Sequence, residues 1–441
     1  MAIDTSPALR NLIIYSIYVR AHSAQGTFDG VTRDLDRIKS MGVDVIWLMP
    51  IHPIGELNKK GSLGCPYSIR DYRSVNPEYG TLADFQTLLE KAHALGLKVM
   101  IDVVYNHTAH DSILVHDHPE FFQQDQAGRP VTTVPDWSDV IDLKHPHPEL
   151  SRYLIDSLKY WVSLGVDGFR CDVASLIPAE FWQQARNEGA ALKPGILWLA
   201  ESVHTGFIEY RRQNQLMAIS DSEIYTAFDL TYDYDIWPVL FAAMTRKAPV
   251  SNLLDMYRLQ HAIYPANFIK LHFVENHDQR RVLDVIPDAQ RAQAWTAFQA
   301  LNDGAWLIYA GQESGEDHQP SLFEKQPIRW LDYPLQDYLT KLNKLKKHPA
   351  IADGKLLFFA SEPAVQLAWV SPESRLFCLI NLDQNTGSAA VPVPDGNYQD
   401  LLSRTPVVVK NGRMDIPRTA VALEVPALLS TKQYHSALMD G

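Results

Sequence analysis

The 441-residue sequence is poor in cysteine and has neither a long apolar run nor an excess of basic residues. Its three cysteines, Cys65, Cys171 and Cys378, are far apart and form no CxxC pair, which indicates free thiols in a reducing compartment. No apolar stretch approaches the roughly 18 residues that a membrane-spanning helix needs. The first residues also lack the basic segment and apolar core of a signal peptide. The sequence therefore predicts a cytoplasmic protein without a membrane partner.

The charge balance is acidic. The chain has 52 acidic and 40 basic residues, a formal net charge of -12, and this charge repels polyanions such as DNA. We therefore expect no nucleic-acid partner. Hydrophobic residues make up 46% and charged residues 21%, which is typical of a globular protein with a substantial core and excludes a disordered regulator. At about 150 residues per domain, the length predicts two or three domains.

Short β-rich runs alternate with amphipathic helical patterns over the first three quarters of the chain. The candidate strands are 13–19, 43–49, 98–104, 168–172, 196–201, 224–228, 268–273 and 306–309. The clearest helical patterns cover 28–41, 81–95 and 149–164, and glycines 42, 96 and 165 follow them as C-cap glycines do. Eight strands alternating with helices predict a closed α/β (β/α)8 TIM barrel. An open doubly wound sheet is the alternative, but the sequence lacks its glycine-rich phosphate turn.

Two stretches interrupt this pattern. Residues 107–147 form a long polar insertion after the third strand, which predicts an inserted B subdomain. From residue 354 onward, short strands separated by turns predict an all-β sandwich over 354–441. The barrel itself is assigned to 1–106 and 148–353.

Charged side chains end several of the candidate strands, where barrel enzymes carry their catalytic groups. Arg170 and Asp172 share one face of a strand, with Cys171 on the other. An arginine beside a carboxylate lowers its pKa and keeps it ionised, as a nucleophile requires. Glu201 follows an apolar run, which raises the pKa of a carboxyl and suits an acid. A plain buried ion pair is the structural alternative for Arg170 and Asp172.

Four segments, DVVYNH, GFRCDVAS, AES and ENHD, resemble in order and spacing the four signature regions of the α-amylase family of glycoside hydrolases. The resemblance covers roughly residues 11–350, including VIWLMPIHP, PYSIRDY and LIYAGQE. It implies that Asp172 is the nucleophile, Glu201 the general acid and base, and Asp278 the residue that stabilises the charged transition state. A retaining enzyme of this kind has its nucleophile and acid about 5–5.5 Å apart.

The resemblance also implies five substrate-binding residues, which are Tyr67, Asp102, His107, Arg170 and His277. Tyr67 is expected to stack on the sugar, Asp102 to organise the floor of the site, and the two histidines to donate to sugar hydroxyls. Tyr232 and Tyr234 either line further sugar subsites or belong to the core.

Asn106 matches a calcium-ligand position of the family, whereas Ser175 and Leu176 replace its usual Lys-His pair. We therefore expect no cofactor for the chemistry, and a structural calcium ion remains an option.

The resemblance implies hydrolysis of α-glucosidic bonds, mainly α-1,4, in maltodextrins and malto-oligosaccharides by a retaining double displacement. An α-glucan is the expected partner, and the oligomeric state is left open. The alternatives are a transglycosylase or an α-1,6-acting hydrolase of the same family, and more remotely a carbohydrate-binding relative without activity. Because all three carboxylates are present, a non-catalytic protein is the least favoured reading.

Overall fold

The computed structural model describes residues 5–429, so the ends of the predicted barrel (1–4) and of the predicted sandwich (430–441) lie outside the described residues. The first ten strands are β1 (Ile13–Ile17), β2 (Val45–Leu48), β3 (Lys98–Val103), β4 (His107–Ala109), β5 (Val140–Asp142), β6 (Gly168–Cys171), β7 (Leu197–Ala200), β8 (Leu230–Tyr232), β9 (Lys270–His272) and β10 (Gly304–Tyr309). All except β4 and β5 form one closed parallel barrel in the order β1-β10-β9-β8-β7-β6-β3-β2. The predicted barrel is confirmed.

Helices connect these strands and cover the barrel. They are α1 (Val19–His22), α2 (Phe28–Ser40), α3 (Leu82–Ala94), α4 (Ile113–Asp117), α5 (Pro148–Ser163), α6 (Ala179–Leu192), α7 (Thr205–Gln213), α8 (Asp221–Ile224), α9 (Trp237–Met244), α10 (Val250–Ile263), α11 (Val282–Val285), α12 (Ala289–Ala300), α13 (Gln336–Lys346) and α14 (Pro349–Asp353). Gly42 and Gly96 have φ values of 85° and 68° just after α2 and α3, as their predicted C-cap positions require. None of the helices within residues 5–429 combines the length and apolar character needed to cross a bilayer.

The predicted strand at 224–228 is wrong. Ser220 and Glu223 form a capping box that starts the short helix α8, and β8 begins only at Leu230. Helix α8 ends at Ile224, and in the turn that follows the amide of Phe228 donates to the carbonyl oxygen of Ile224 at 3.2 Å, so this segment is not extended.

The insertion after β3 folds back on its own start. Strand β4 pairs antiparallel with β5, with His107 opposite Asp142. This short ribbon brings the far end of the insertion next to the mouth of the barrel.

Between residues 354 and 429 the C-terminal region contains strands and no helix, in agreement with the predicted all-β fold. They are β11 (Lys355–Ala360), β12 (Val365–Val370), β13 (Arg375–Ile380), β14 (Ser388–Ala390), β15 (Gly396–Gln399), β16 (Pro406–Val409), β17 (Arg413–Asp415) and β18 (Ala420–Glu424). Strands β11-β12-β13-β18 form one antiparallel sheet, and the other four pair as two ribbons. Phe377 and Leu423 of the sheet share a buried cluster with Val409 and Met414 of the ribbons, so apolar side chains fill the space between the layers.

Trp369 of β12 joins this region to the barrel. Its side chain is fully buried, and its indole nitrogen donates to the carbonyl oxygen of Leu301 at 2.8 Å.

Candidate active site

Two neighbouring strands bring the buried charges of the barrel together. Asp102 on β3 stands opposite Arg170 on β6 in the parallel register, and both side chains are fully buried. Cys171, one residue further, belongs to the outer core between strands and helices, as the alternation predicted. The chain leaves β6 at Asp172, whose amide donates to Val103 of β3 at 2.9 Å.

The Arg170 guanidinium contacts three carboxyl groups. Its Nη1 donates to Asp172 Oδ1 at 2.9 Å and to Asp102 Oδ1 at 3.0 Å, and its Nη2 lies 3.1 Å from Glu201 Oε2. Aromatic rings surround the same cation, with the centre of the Trp47 ring 5.3 Å from its central carbon. One buried arginine therefore holds both predicted reacting carboxyls on the same side of the barrel.

The backbone after Asp172 is strained. Val173 has φ 35° and ψ 45°, a left-handed conformation that a β-branched residue rarely adopts. Its amide donates to Glu201 Oε2 at 2.7 Å. The strained turn thus ties the acid candidate to the residue next to the nucleophile candidate.

Burial governs the protonation of the carboxyls. It raises the pKa of Glu201 to about 8, against the opposing effect of Arg170, so this carboxyl carries a proton at neutral pH. Burial also raises the pKa of Asp172 to about 7 and that of Asp102 to about 7, although Arg170 lowers both. Arg170 therefore lowers the pKa of Asp172 as predicted, but burial outweighs this effect, and the sequence does not show how completely this carboxyl is buried.

The two histidines are neutral. Burial lowers the pKa of His107 to about 4 and that of His277 to about 4. Asn106 Nδ2 donates to His107 Nδ1 at 3.2 Å, so the ring proton of His107 is on Nε2, which lies 3.7 Å from Asp172 Oδ2.

Tyr67 connects the other predicted residues. Its hydroxyl donates to Asp102 Oδ2 at 3.0 Å and lies 2.7 Å from His277 Nε2, and its ring stacks on that of His277. His277 Nε2 also lies 3.2 Å from Asp278 Oδ2. These contacts fix the orientation of the side chains around the site.

A cavity of about 260 Å³ opens at the mouth of the barrel. Six predicted residues line it, which are Tyr67, His107, Asp172, Glu201, His277 and Asp278. Arg170 and Asp102 lie buried behind this lining. Tyr232 and Tyr234 stack on each other in the inner core and do not belong to the lining, which favours their structural interpretation.

Sequence reasoning did not identify the other lining residues, which are Lys60, Cys65, Trp137, Asp139, Val140, Val173 and Phe323. Val140 begins β5, and the other six lie in loops without periodic patterning. Trp137 packs its ring against that of His107, with 5.1 Å between ring centres.

A second cavity, of about 600 Å³, lies beside Asn106, the predicted calcium ligand. Asp142 accepts from the amide and hydroxyl of Thr133 through Oδ2, and its buried Oδ1 has no hydrogen-bond partner within residues 5–429. Arg211 lines the same cavity and donates through Nη1 to Thr133 Oγ1 at 3.3 Å.

Two features of this cavity bear on the predicted calcium ion. The ion takes about 6–8 oxygen ligands, and a guanidinium in the cavity repels a second cation. In the described part of the chain there is also no group of three or more His, Cys, Asp or Glu residues able to hold a metal.

Two family models match the chain. The model described as "Alpha amylase, catalytic domain" matches residues 14–127 and 135–344, and the one described as "Bacterial Alpha amylase C-terminal domain" matches residues 360–423.

Solved structures of two bacterial proteins are similar over almost the whole chain. An α-amylase from Lactobacillus plantarum is 42% identical, with a TM-score of 0.92 over 95% of this chain and 100% of its own. A noncanonic maltogenic α-amylase, AmyB, from Thermotoga neapolitana is 32% identical, with a TM-score of 0.84 over 95% of this chain and 99% of its own.

A longer archaeal relative is also similar. Alpha-amylase MalA of Haloarcula japonica is 28% identical over 361 residues, which cover 78% of this chain and 50% of that protein. The chain thus spans about half the length of this curated relative.

Proposed function

Because the chain belongs to the α-amylase family of glycoside hydrolases, we propose that it hydrolyses α-glucosidic bonds, mainly α-1,4, in maltodextrins and malto-oligosaccharides with retention of configuration. This proposal rests on one observation. The carboxyls of Asp172 and Glu201 both contact the Arg170 guanidinium and line the same cavity.

In the proposed first step, Asp172 in its ionised form attacks the anomeric carbon and forms a covalent glycosyl ester. Glu201 donates its proton to the departing glycosidic oxygen, as its raised pKa allows. In the second step, ionised Glu201 takes a proton from water, the water oxygen attacks the same carbon, and Asp172 leaves. Two inversions restore the α configuration.

The neighbouring residues support this assignment by their positions. His107 Nε2–H points to the side of Asp172 where a sugar hydroxyl would lie, and Tyr67 presents its ring to the cavity. Asp278 lines the cavity next to His277, where a carboxylate can stabilise positive charge on the sugar ring.

We also propose that the protein contains no calcium at Asn106. The Arg211 guanidinium supplies the positive charge at this junction between the insertion and the barrel, since it reaches Asp142 through the Thr133 hydroxyl. Asn106 instead orients His107.

A cytoplasmic location is consistent with the thiols. Cys65, Cys171 and Cys378 are all free, and two of them are buried. A reducing compartment keeps such cysteines unpaired.

The configuration of the first product tests the proposed reaction. During hydrolysis of maltoheptaose, proton NMR should show the α-anomer before mutarotation, and initial release of the β-anomer would exclude the double displacement. Chromatography of products from starch, pullulan, maltotriose and isomaltose distinguishes the bond preference. Products longer than maltoheptaose would instead favour the transglycosylase.

A further inference from the structure

The loops that follow β2 and β10 lie opposite Glu201 on the barrel mouth. In the closed ring, β7, which precedes Glu201, is four strands away from β1 in either direction, while β2 and β10 flank β1. A sugar chain that has its leaving portion at Glu201 therefore extends its other portion toward these two loops.

The two loops are bonded to each other. The amide of Leu63 donates to the carbonyl oxygen of Phe323 at 3.1 Å, and the amide of Ser62 donates to Glu324 Oε1 at 2.7 Å. The Ser62 hydroxyl also bonds Glu324. Gly61 adopts φ 67°, and a Cβ there would lie only 2.5 Å from Cβ of Phe323, so the loops leave no gap at this point.

A buried cation holds the contact from below. Arg20 is fully buried, and its Nη1 donates at 3.0 Å to the carbonyl oxygens of both Gly64 and Leu322, one in each loop. Its Nη2 donates to Leu63 at 3.2 Å and pairs with Glu78 at 2.9 Å. The junction of the loops is therefore an anchored part of the fold.

The first loop is also bonded to the insertion. Lys60 Nζ donates to the carbonyl oxygen of Asp136 at 2.7 Å and pairs with Asp139 Oδ1 at 2.9 Å. Lys60, Trp137 and Phe323 all line the catalytic cavity. We call residues 60–64, 136–139 and 322–324 the closed rim, since hydrogen bonds and an ion pair join them into a continuous wall.

We propose that the closed rim blocks the cleft beyond the transferred sugar, so that the enzyme cleaves from the non-reducing ends of α-glucan chains and releases short units. This inference rests on the proposed function. The attacked anomeric carbon belongs to the non-reducing part of the chain, because the leaving oxygen stays with the reducing part. That non-reducing part faces the closed rim and must end there. The cavity, at about 260 Å³, is also smaller than the about 300–1,000 Å³ of pockets for larger ligands.

Nitrophenyl maltoheptaoside with and without an ethylidene group on O4 and O6 of its non-reducing terminal glucose tests this proposal. We expect kcat/KM for the blocked substrate to be lower by about 100-fold or more, since the cap must enter a space that fits an unmodified end. Equal rates on the two substrates would show internal cleavage and overturn the proposal. No hydrolysis of either would count against the proposed function instead.

Two variants test whether the closed rim causes the lower kcat/KM of the blocked substrate. Phe323→Ala combined with Glu324→Ala removes a side chain of the wall and the bonds to Ser62, and should raise the blocked-to-unblocked ratio by about 10-fold. Glu56→Ala is the matched control, because this exposed side chain of the same loop pairs with Lys59 and lies outside the closed rim. An unchanged ratio in the double variant would exclude the side chains of Phe323 and Glu324 as the barrier.

Discussion

Arg170 Nη1 lies 2.9 Å from Asp172 Oδ1, and the arginine is fully buried behind the side chains that line the cavity. The same guanidinium also contacts Asp102 and Glu201. One cation thus compensates three buried carboxyls, and its attraction does not offset the burial that raises the pKa of each of them.

Arg170→Met should lower both stability and activity. Removing one partner of a buried ion pair costs about 3–5 kcal/mol of unfolding free energy. Because the three carboxyls are largely protonated below their raised pKa values, the loss should be smaller at about pH 5 than at about pH 8.5. Unfolding in urea at both pH values measures this difference. A loss of unfolding free energy that does not depend on pH would contradict the idea that Arg170 compensates the charges of the three carboxyls.

Asp172→Asn should abolish turnover while the fold remains. The amide has nearly the same shape as the carboxyl but cannot form the ester, so kcat should fall by about 10³-fold or more. Activity on maltoheptaose and circular dichroism give the two readings. Asp156→Asn, an exposed change on α5, is the control. Unchanged activity of Asp172→Asn would remove this residue as the nucleophile.

The pH profile of kcat/KM should be bell-shaped, with its maximum between the pKa values of the two carboxyls. Activity falls as pH drops through about 7, because Asp172 becomes protonated, and falls again as pH rises through about 8, because Glu201 loses its proton. Glu201→Gln should lower kcat by about 10²–10⁴-fold and remove the decline on the basic side. If the decline persists in this variant, Glu201 is not the acid.

Chelation should not change the thermal stability. Since Arg211 occupies the cavity beside Asn106 and Asp142, incubation with EDTA or added calcium should leave the Tm unchanged. Asp142 Oδ1 has no hydrogen-bond partner within residues 5–429, and Arg211→Met removes the guanidinium that lines the same cavity. This variant should therefore have a lower Tm in calcium-free buffer. A drop in Tm on adding EDTA to the native protein would favour a bound metal.

Trp369→Ala should destabilise the protein without changing the pH profile. The substitution removes a fully buried indole and its bond to Leu301, and large-to-small changes of this kind cost about 3–5 kcal/mol. Trp369→Phe, which keeps most of the apolar contact, should cost less. Denaturant unfolding measures the loss, while a shifted pH profile would indicate an unexpected effect on the distant active site.

The barrel and the reacting carboxyls could be predicted because their signals are local. Alternation along 168–172 places Arg170 and Asp172 on one face, and an apolar run that ends at Glu201 marks the end of a strand. The boundaries at residues 106, 147 and 353 stay predictions, as does the catalytic role of each site residue.

The closed rim and the pKa values of the site could not be predicted, because they depend on contacts between distant parts of the chain. Ser62 meets Glu324 only after the barrel has closed, and Lys60 reaches Asp139 only after the insertion has folded back. The pKa of Asp172 likewise depends on how the surrounding loops exclude water. At 224–228 the local signal itself misled, because the capping box at Ser220 starts a helix ahead of residues that favour strands.

The left-handed turn at Val173 also limits how substitutions could change the stereochemistry of the proposed reaction. The peptide unit between Asp172 and Val173 carries the N–H that holds Glu201, so this rigid unit is one constraint on the gap between the two carboxyls. An inverting mechanism requires that gap to widen to about 6.5–9.5 Å to admit water. Shortening a side chain alone would leave this unit in place. Widening the gap in this fold would therefore also require Glu201 to leave the Val173 amide, or that amide to move.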